Sequence, residues 1–219
     1  MEIKLLAYTR EPERLCAAAA KLCHEPDQSD FGDMMEALDQ DTIDRLLRFV
    51  LRKEHLSVIE HASFTFVVTG VSRALTHQLV RHRIASYSQQ SQRYVRFDSV
   101  PYVVPSSIER DGELSREYGE LMDHVQRFYS SALESGRVPA EDARFALPNA
   151  MTTKIVITMN ARELRHFFEL RLDPTAQWEI RLMAREMLRE VLPVCPGLFS
   201  DIRDKYLDGD WEFLRGVRA

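Results

Sequence analysis

The chain has 219 residues, of which 45% are hydrophobic and 29% charged, an ordinary composition for a globular protein that buries a core. Its formal charge of -5 argues against a nucleic-acid binder that relies on overall positive charge. No apolar run approaches the ~20 residues needed to cross a bilayer, and the first residues are too charged for a signal peptide. We therefore expect a cytoplasmic protein with no membrane partner. Three cysteines without CxxC spacing argue against a disulfide framework and a structural zinc site.

Five elements are predicted in the first 83 residues from the spacing of apolar side chains. Phe64, Phe66 and Val68 lie two residues apart, which is the pattern of a strand with one buried face. In chain order the elements are a weak strand over residues 2–8, an alanine-rich helix over 12–23, a helix over 42–52 with Thr42 as its N-cap, a strand over 63–71 and a helix over 72–83.

The rest of the chain adds five elements and a loop. Asp173 and Pro174 suit a helix start, and Gly136 suits a helix end. In chain order the predictions are a weak strand over 94–104, a loop over 104–113, a helix over 115–133, a strand over 154–159, a helix over 160–171 and a helix over 173–192 with Ala176, Ile180, Met183, Met187 and Val191 as its buried stripe. Strands and helices do not alternate regularly. We predict an α+β fold with a small central, largely antiparallel sheet and long helices, in one domain over residues 1–219.

Charge is distributed unevenly along the chain. From His61 to Phe97 there is no Asp or Glu, but there are five arginines and three histidines. A buried strand would exclude acids from the start of this stretch, yet it would not explain the arginines that follow. An acidic protein with a locally all-positive segment is arranged to bind an anion. The arginines are Arg73, Arg81, Arg83, Arg93 and Arg96.

Three consecutive basic residues, Arg81-His82-Arg83, end the predicted helix over 72–83. Consecutive side chains on a helix point roughly 100° apart, so one ligand on one side of the helix cannot contact all three. Either they are ordinary exposed residues, or partners approach this end of the helix from several directions, as at a subunit interface.

A run of small polar residues, from Ser86 to Arg93, follows the basic residues. Hydroxyls, amides and a guanidinium are the groups that phosphate oxygens and a pyrimidine edge require. The same composition is typical of a solvated polar loop, and both interpretations stay open at this point. Ser91 has no recognisable histidine base and no GxSxG turn, which argues against a nucleophile at this position.

Two other function classes are consistent with parts of this segment. A nucleic-acid-binding module would use the arginines from Arg81 to Arg96, although the net charge and the few interleaved aromatic residues count against it. A metallohydrolase would use His61, His77 and His82, but their spacing matches no familiar ligand set. We therefore expect no metal and no nucleic-acid partner.

The chain resembles the flavin-dependent thymidylate synthases. Arg81-His82-Arg83, then seven residues, then Ser91 match the family signature, with Gln78 before it and Arg93 after it at the family spacing. Further matching segments are residues 60–66, 160–162, 170–171 and 176–180. The resemblance covers about residues 54–199. It implies reductive methylation of dUMP to dTMP with FAD, NADPH and 5,10-methylenetetrahydrofolate, by a homotetramer whose active sites are shared between subunits.

The resemblance also implies roles for individual residues. Arg171 is the implied catalytic residue, whose charge stabilises the uracil ring ionised at N3. Without the resemblance, Arg171 is equally consistent with an arginine that extends from a helix end into water, and His61 is as consistent with a strand start as with a flavin neighbour. The implied FAD-binding residues are Ser63, Arg81, His82, Arg83, Ile84, Gln89, Asn160, Ala161, Arg162 and His166. The implied dUMP-binding residues are Gln78, Arg81, Gln89, Gln90, Ser91, Gln92, Arg93, Arg144 and Arg171.

Overall fold

The computed structural model describes residues 1–25 and 30–207, and its α+β fold confirms the predicted class. The strands are β1 (Glu2–Tyr8), β2 (Ser63–Ser72), β3 (Ala85–Gln89) and β4 (Thr152–Asn160). They form one antiparallel sheet in the order β1-β2-β4-β3.

Helices supply most of the remaining regular structure among the described residues. They are α1 (Pro12–Leu22), α2 (Phe31–Glu36), α3 (Gln40–Arg52), α4 (Arg73–Leu79), α5 (Ser106–Glu109), α6 (Gly112–Glu134), α7 (Ala140–Ala143), α8 (Ala161–Arg171), α9 (Trp178–Val191) and α10 (Pro196–Tyr206). Short 3-10 helices cover Leu56–His61 and Arg144–Ala146. Within this part of the chain, every helix is too short or too polar to cross a bilayer.

The described residues divide into two compact units. The first unit consists of residues 1–2, 68–81 and 88–155, and the second of residues 3–25, 30–67, 82–87 and 156–207. The single domain expected over residues 1–219 stays a prediction, and its residues 26–29 and 208–219 lie outside the described part.

An aromatic cluster forms part of the core of the second unit. Phe199 in α10 is fully buried, and its ring centroid lies 5.7 Å from that of Phe64 in β2 and 5.7 Å from that of Phe168 in α8. The predicted alternation in β2 is confirmed, because Phe64, Phe66 and Val68 are all fully buried. Phe199 of α10 therefore packs against both β2 and α8.

The first unit has a smaller core around Tyr129 of α6. This fully buried side chain packs with Val100, Ala143 and Met151, and its ring centroid lies 6.4 Å from that of Phe97. Helix α6 ends as predicted before Gly136, which adopts a φ of 66°, a left-handed conformation that suits glycine after a helix.

Two helix starts differ from the predictions because other side chains provide the caps. The side chain of Asp39, not Thr42, caps α3 by accepting a hydrogen bond from the Thr42 amide at 2.8 Å. The predicted start at Asp173 is wrong, because the Asp173 side chain accepts from the Thr175 amide and closes a local turn instead. Gln177 then caps α9, whose first residue is Trp178.

The predicted stripe on α9 is confirmed for four of its five residues. Its members Ile180, Met183, Met187 and Val191 are fully buried, whereas Ala176 precedes the helix.

The stretch between residues 94 and 113 was predicted poorly. The weak strand over 94–104 is wrong, since only one isolated bridge forms there, between Tyr102 and Met151. Its apolar residues pack on a helix instead, with Val100 buried beside Tyr129. The predicted loop over 104–113 contains the four-residue helix α5 and the start of α6, which Asp111 caps.

Candidate active site

The basic residues Arg81-His82-Arg83 lie beyond the end of α4 rather than within a helix. The Ser72 hydroxyl caps α4, and the helix ends at Leu79. The predicted helix over 72–83 is therefore too long, and the argument from helical spacing does not apply to these residues. His82 is only 3% exposed, whereas Arg81 and Arg83 are exposed.

The apolar stripe of α4 explains why the helix stops. Leu75 and Leu79 are fully buried and four residues apart, so the next residue on that face would be Arg83. A charged side chain there cannot continue the buried stripe without a partner. The chain therefore leaves the helix before the second arginine.

His82 joins two charged side chains of α8 within the second unit. Its Nε2 accepts a hydrogen bond from Nε of Arg171 at 3.0 Å, and its Nδ1 lies 3.5 Å from Oε1 of Glu163. The Tyr87 hydroxyl donates to the His82 main-chain carbonyl at 2.7 Å. A basic residue of the motif thus contacts the implied catalytic arginine directly.

The surroundings keep the His82 imidazole neutral. Burial, followed by the nearby charges of Arg171 and His166, lowers the pKa of His82 to about 4. Burial raises the pKa of the Glu163 carboxyl and lowers the pKa of the Arg171 guanidinium. Near neutral pH the imidazole is therefore uncharged, and its contact with Arg171 does not cancel the guanidinium charge.

In the first unit, Gln89 at the end of β3 and Gln90 just after it are held against neighbouring residues. The Gln89 amide nitrogen donates to the hydroxyls of Thr76 at 3.1 Å and Thr153 at 3.4 Å. The Gln90 main-chain amide donates to the carbonyl of Lys154 at 2.9 Å. The polar run from Ser86 to Arg93 therefore begins within strand β3.

The turn after β3 is organised by Ser91. Its hydroxyl accepts a hydrogen bond from the Arg93 main-chain amide at 3.1 Å. The Gln92 side chain donates to Sδ of Met151 at 3.3 Å. These contacts fix the backbone that presents the Arg93 side chain.

Two arginines of the first unit contact Glu141. Nη2 of Arg93 lies 3.3 Å from Oε2 of Glu141, and Nε of Arg144 donates to the main-chain carbonyl of Glu141 at 3.0 Å. Burial, and then the charge of Arg144, lowers the pKa of the Arg73 guanidinium. The Arg93 guanidinium is paired with the carboxylate, whereas that of Arg144 contacts a neutral main-chain carbonyl, so positive charge remains available for an anionic ligand.

The flavin positions implied on α8 already take part in local structure. The Asn160 side chain caps α8 by accepting from the Glu163 amide at 2.9 Å. Ala161 is fully buried, and its amide donates to the carbonyl of Ala62. Arg162 pairs with Glu60 at 2.6 Å, but both side chains remain about half exposed.

The other implied flavin positions include several at the surface. Ile84 is 68% exposed, and Arg81, Arg83 and His166 are also exposed. Ser63 at the start of β2 is half-buried, and its amide donates to the Thr9 hydroxyl at 2.9 Å.

The two sets of implied residues fall mostly in different units. The flavin positions lie in the second unit, except Arg81 and Gln89, and the dUMP positions lie in the first unit, except Arg171.

The residues that the sequence analysis missed are acids and a tyrosine. Glu163 and Glu141 contact the predicted His82 and Arg93, and Tyr87 holds the backbone of His82. Glu163 was detectable in principle, because it lies eight residues before Arg171, two turns away on a similar face of α8. Glu141 gave no local signal.

The metallohydrolase alternative gains no support from the described residues. They contain no group of three or more His, Cys, Asp or Glu side chains that could hold a metal ion. His61 and His77 are exposed, and His82 is buried against Arg171 and Glu163.

Comparison with known proteins agrees with the resemblance seen in the sequence. Residues 4–197 match the profile of a family described as thymidylate synthase complementing protein. A flavin-dependent thymidylate synthase of Geobacter sulfurreducens is 49% identical over 211 residues, covering 95% of this chain and 90% of that protein. Proteins of the same name from Clostridium tetani and Pyrococcus furiosus are 46% and 43% identical, covering 91% and 87% of this chain and 86% and 79% of theirs.

Proposed function

Since this chain belongs to the flavin-dependent thymidylate synthase family, we propose that Arg171, the arginines around Glu141 and the exposed basic residues after α4 form the working parts of its active site. The enzyme converts dUMP to dTMP, with 5,10-methylenetetrahydrofolate as carbon donor and NADPH as reductant. Bound FAD, once reduced, supplies the hydride that completes the new methyl group.

Arg171 is the proposed catalytic residue. Its guanidinium is partly buried, and its Nε–H is held by the neutral imidazole of His82 at 3.0 Å. A fixed positive charge beside N3 of the uracil ring stabilises negative charge on that ring, which makes C5 a better nucleophile. The hydrogen bond that fixes the orientation of the Arg171 guanidinium is the main observation in support of this role.

The dUMP phosphate is proposed to bind at Arg93 and Arg144. Arg93 pairs with the Glu141 carboxylate and Arg144 donates to the Glu141 main-chain carbonyl, and planar guanidinium groups bind phosphate oxygens in pairs. Uracil and sugar contacts are assigned to the remaining predicted positions. These are Gln78, Arg81, Gln89, Gln90, Ser91 and Gln92.

Residues suited to FAD are present in the second unit. Arg83 and Arg162 have exposed side chains able to bind a pyrophosphate, and the Ile84 side chain offers apolar surface. The His82 side chain is buried, so its contribution to the flavin would come from the backbone. The other proposed positions are Ser63, Arg81, Gln89, Asn160, Ala161 and His166.

Homotetramer assembly with shared active sites is proposed from the exposed apolar residues. Leu114, Leu121 and Phe128 are spaced by seven along α6, and they are 50%, 56% and 59% exposed. Such a stripe on one helix face suits burial against another copy of the chain.

We also propose that residues 1–219 act as one domain and that the enzyme works in the cytoplasm. A reducing compartment suits the three free cysteines, Cys16, Cys23 and Cys195.

The reaction is tested by tritium release from dUMP labelled at C5, with FAD, NADPH or methylenetetrahydrofolate omitted in turn. Arg171→Ala should abolish dTMP formation and retain the fold. Arg189→Ala is the matched control, because Arg189 is a half-exposed arginine of α9 that pairs with Glu186 one turn away. Full activity of Arg171→Ala would remove Arg171 from the mechanism. Normal turnover by a monomer in combined sedimentation and activity measurements would contradict the shared site.

A further inference from the structure

We propose that Glu163 and His82 are positioning residues that fix the orientation of the Arg171 guanidinium. Glu163 selects the tautomer of His82, and the imidazole then holds Nε–H of Arg171. This inference rests on the role of Arg171 proposed above. It adds a function for Glu163, a buried acid that is not among the residues implied by the family resemblance.

The hydrogen bond between Arg171 and His82 dictates the tautomer of the imidazole. Guanidinium nitrogens donate hydrogen bonds and do not accept them. Nε2 of His82 lies 3.0 Å from Nε of Arg171, so Nε2 must offer a lone pair. In the neutral ring the proton is then on Nδ1, the nitrogen 3.5 Å from Oε1 of Glu163.

The carboxylate of Glu163 stabilises this tautomer over the alternative. With Nδ1 3.5 Å from Oε1, a proton on Nδ1 is electrostatically favourable, whereas an unprotonated Nδ1 would bring its lone pair close to the carboxylate. In the alternative tautomer, Nε2–H would also oppose the Nε–H of Arg171. A single carboxylate therefore favours the one arrangement in which both imidazole contacts are attractive, as an orienting acid does for a catalytic histidine.

The surrounding structure restricts movement of both members of the pair. The His82 ring is packed edge-on against Phe167, with centroids 5.0 Å apart, and its backbone carbonyl accepts from Tyr87. Glu163 is 5% exposed and lies in the first turn of α8, where the Asn160 side chain holds its amide. Because the His82 ring has little freedom to move, the position of Glu163 determines where the imidazole holds the Arg171 guanidinium.

The helical spacing of α8 places three residues that contact His82 along one face of the helix. Glu163, Phe167 and Arg171 are four residues apart, and side chains at that spacing lie above one another along one helix face. His82 lies against all three. His166 is the remaining titratable group of α8 near the ring, with centroids 5.8 Å apart.

The positive groups near His82 favour the same arrangement. Arg171 and His166 both oppose protonation of the ring, and burial lowers the His82 pKa further. The imidazole thus keeps its lone pair for Arg171 under the conditions in which the enzyme works.

Binding of dUMP to the FAD-loaded protein, measured by calorimetry, provides the test. Glu163→Gln allows the amide to donate to Nδ1 and so permits the wrong tautomer. We expect it to weaken dUMP binding on the order of tenfold, because misplacing a functional group by about an ångström has effects of this size or larger. Glu179→Gln is the matched control, since Glu179 is a buried glutamate, 3% exposed, on α9.

A double-mutant cycle separates positioning from general stability. In an Arg171→Ala background, Glu163→Gln should change the dUMP dissociation constant less than twofold, because the oriented group is gone. An effect of equal size in both backgrounds would overturn the proposal. If Arg171→Ala alone leaves dUMP binding and dTMP formation intact, the proposed catalytic role of Arg171 is wrong. That outcome differs from the one that would overturn only the positioning roles of Glu163 and His82.

Two further measurements keep the proposal testable if Glu163→Gln does not fold. His82→Gln keeps an acceptor within reach of Arg171, so it should bind dUMP more tightly than His82→Leu; equal affinities would contradict the proposal. In the unaltered holoenzyme, nitrogen-15 NMR of labelled histidine should show His82 protonated on Nδ1. Observation of the Nε2-protonated form would overturn the assignment.

Discussion

Replacing Glu141 by glutamine should tighten the binding of dUMP. The Glu141 carboxylate lies 3.3 Å from Arg93, in the position where a phosphate oxygen is proposed to bind. Substrate must therefore displace the carboxylate before Arg93 can pair with the phosphate. Glutamine keeps the size of the side chain and removes the competing charge.

The size of this effect follows from the exposure of the pair. The Arg93 and Glu141 side chains are 51% and 52% exposed, and ion pairs this accessible contribute roughly 0.2–1 kcal/mol. Removal of the competitor should then lower the dUMP dissociation constant by about 1.4- to 5-fold, since 1.4 kcal/mol corresponds to tenfold. The gain should shrink as salt is added, because screening weakens the same pair.

Calorimetry with two ligands isolates the phosphate contribution. Glu141→Gln should bind dUMP more tightly than the unaltered protein and bind deoxyuridine, which lacks the phosphate, with unchanged affinity. Asp142→Asn is the control, because it removes the same charge from the neighbouring exposed residue of α7. Weaker dUMP binding by Glu141→Gln, or an equal change for both ligands, would refute the reasoning.

Three predictions concern stability, each measured by urea unfolding. Phe199→Ala should lower the free energy of unfolding by about 3–5 kcal/mol, because the buried ring contacts two other phenylalanines; a loss below 1 kcal/mol would contradict this packing. Asn160→Ala should lower it by about 1 kcal/mol through loss of the α8 cap, whereas Asn160→Asp should retain most of the stability. His82 should make the protein less stable by about 2 kcal/mol at pH 5 than at pH 7, because its pKa is about 4 when folded and near 6.5 when unfolded, so the unfolded chain takes up the proton first. The raised pKa of Glu163 makes the protein more stable at low pH and so opposes the His82 effect. The variant His82→Gln should remove only the His82 contribution to this pH dependence. An unchanged pH profile of stability in that variant would refute the prediction.

The spacing of apolar residues correctly predicted the strands and helices that bury only one face. Phe64, Phe66 and Val68 alternate along β2, and Ile180 and Met183 follow the helical period on α9. In both cases a single apolar face determines the secondary structure and its orientation toward the core. Such patterns are local, so the sequence alone was sufficient.

Element ends were predicted less well because several residues compete to cap them. Asp173 and Gln177 are both able to cap a helix, and only the structure shows that Asp173 closes a turn with Thr175 while Gln177 starts α9. The helix over 72–83 failed for a related reason. Its polar residues are good helix formers, but the buried stripe ends at Leu79.

The family signature predicted candidate site residues, but it did not predict which side chains they contact. The contact between His82 and Arg171 joins residues 89 positions apart, and the pair of Arg93 with Glu141 spans 48. No local pattern encodes which acid reaches which base over such distances. The pairing of His82 with Glu163 and of Arg93 with Glu141 is visible only in the folded chain.

Burial separates the roles of the two acids that the sequence analysis missed. The stretch from His61 to Phe97 contains no acid of its own, so His82 and Arg93 take carboxylates from distant segments. Glu141 is half exposed, and its weak ion pair can yield to a substrate phosphate at little free-energy cost. Glu163 is 5% exposed, and moving a buried carboxylate away from its partner is far more costly. The first acid is therefore suited to being replaced by substrate in each turnover, and the second to staying in place while substrate comes and goes.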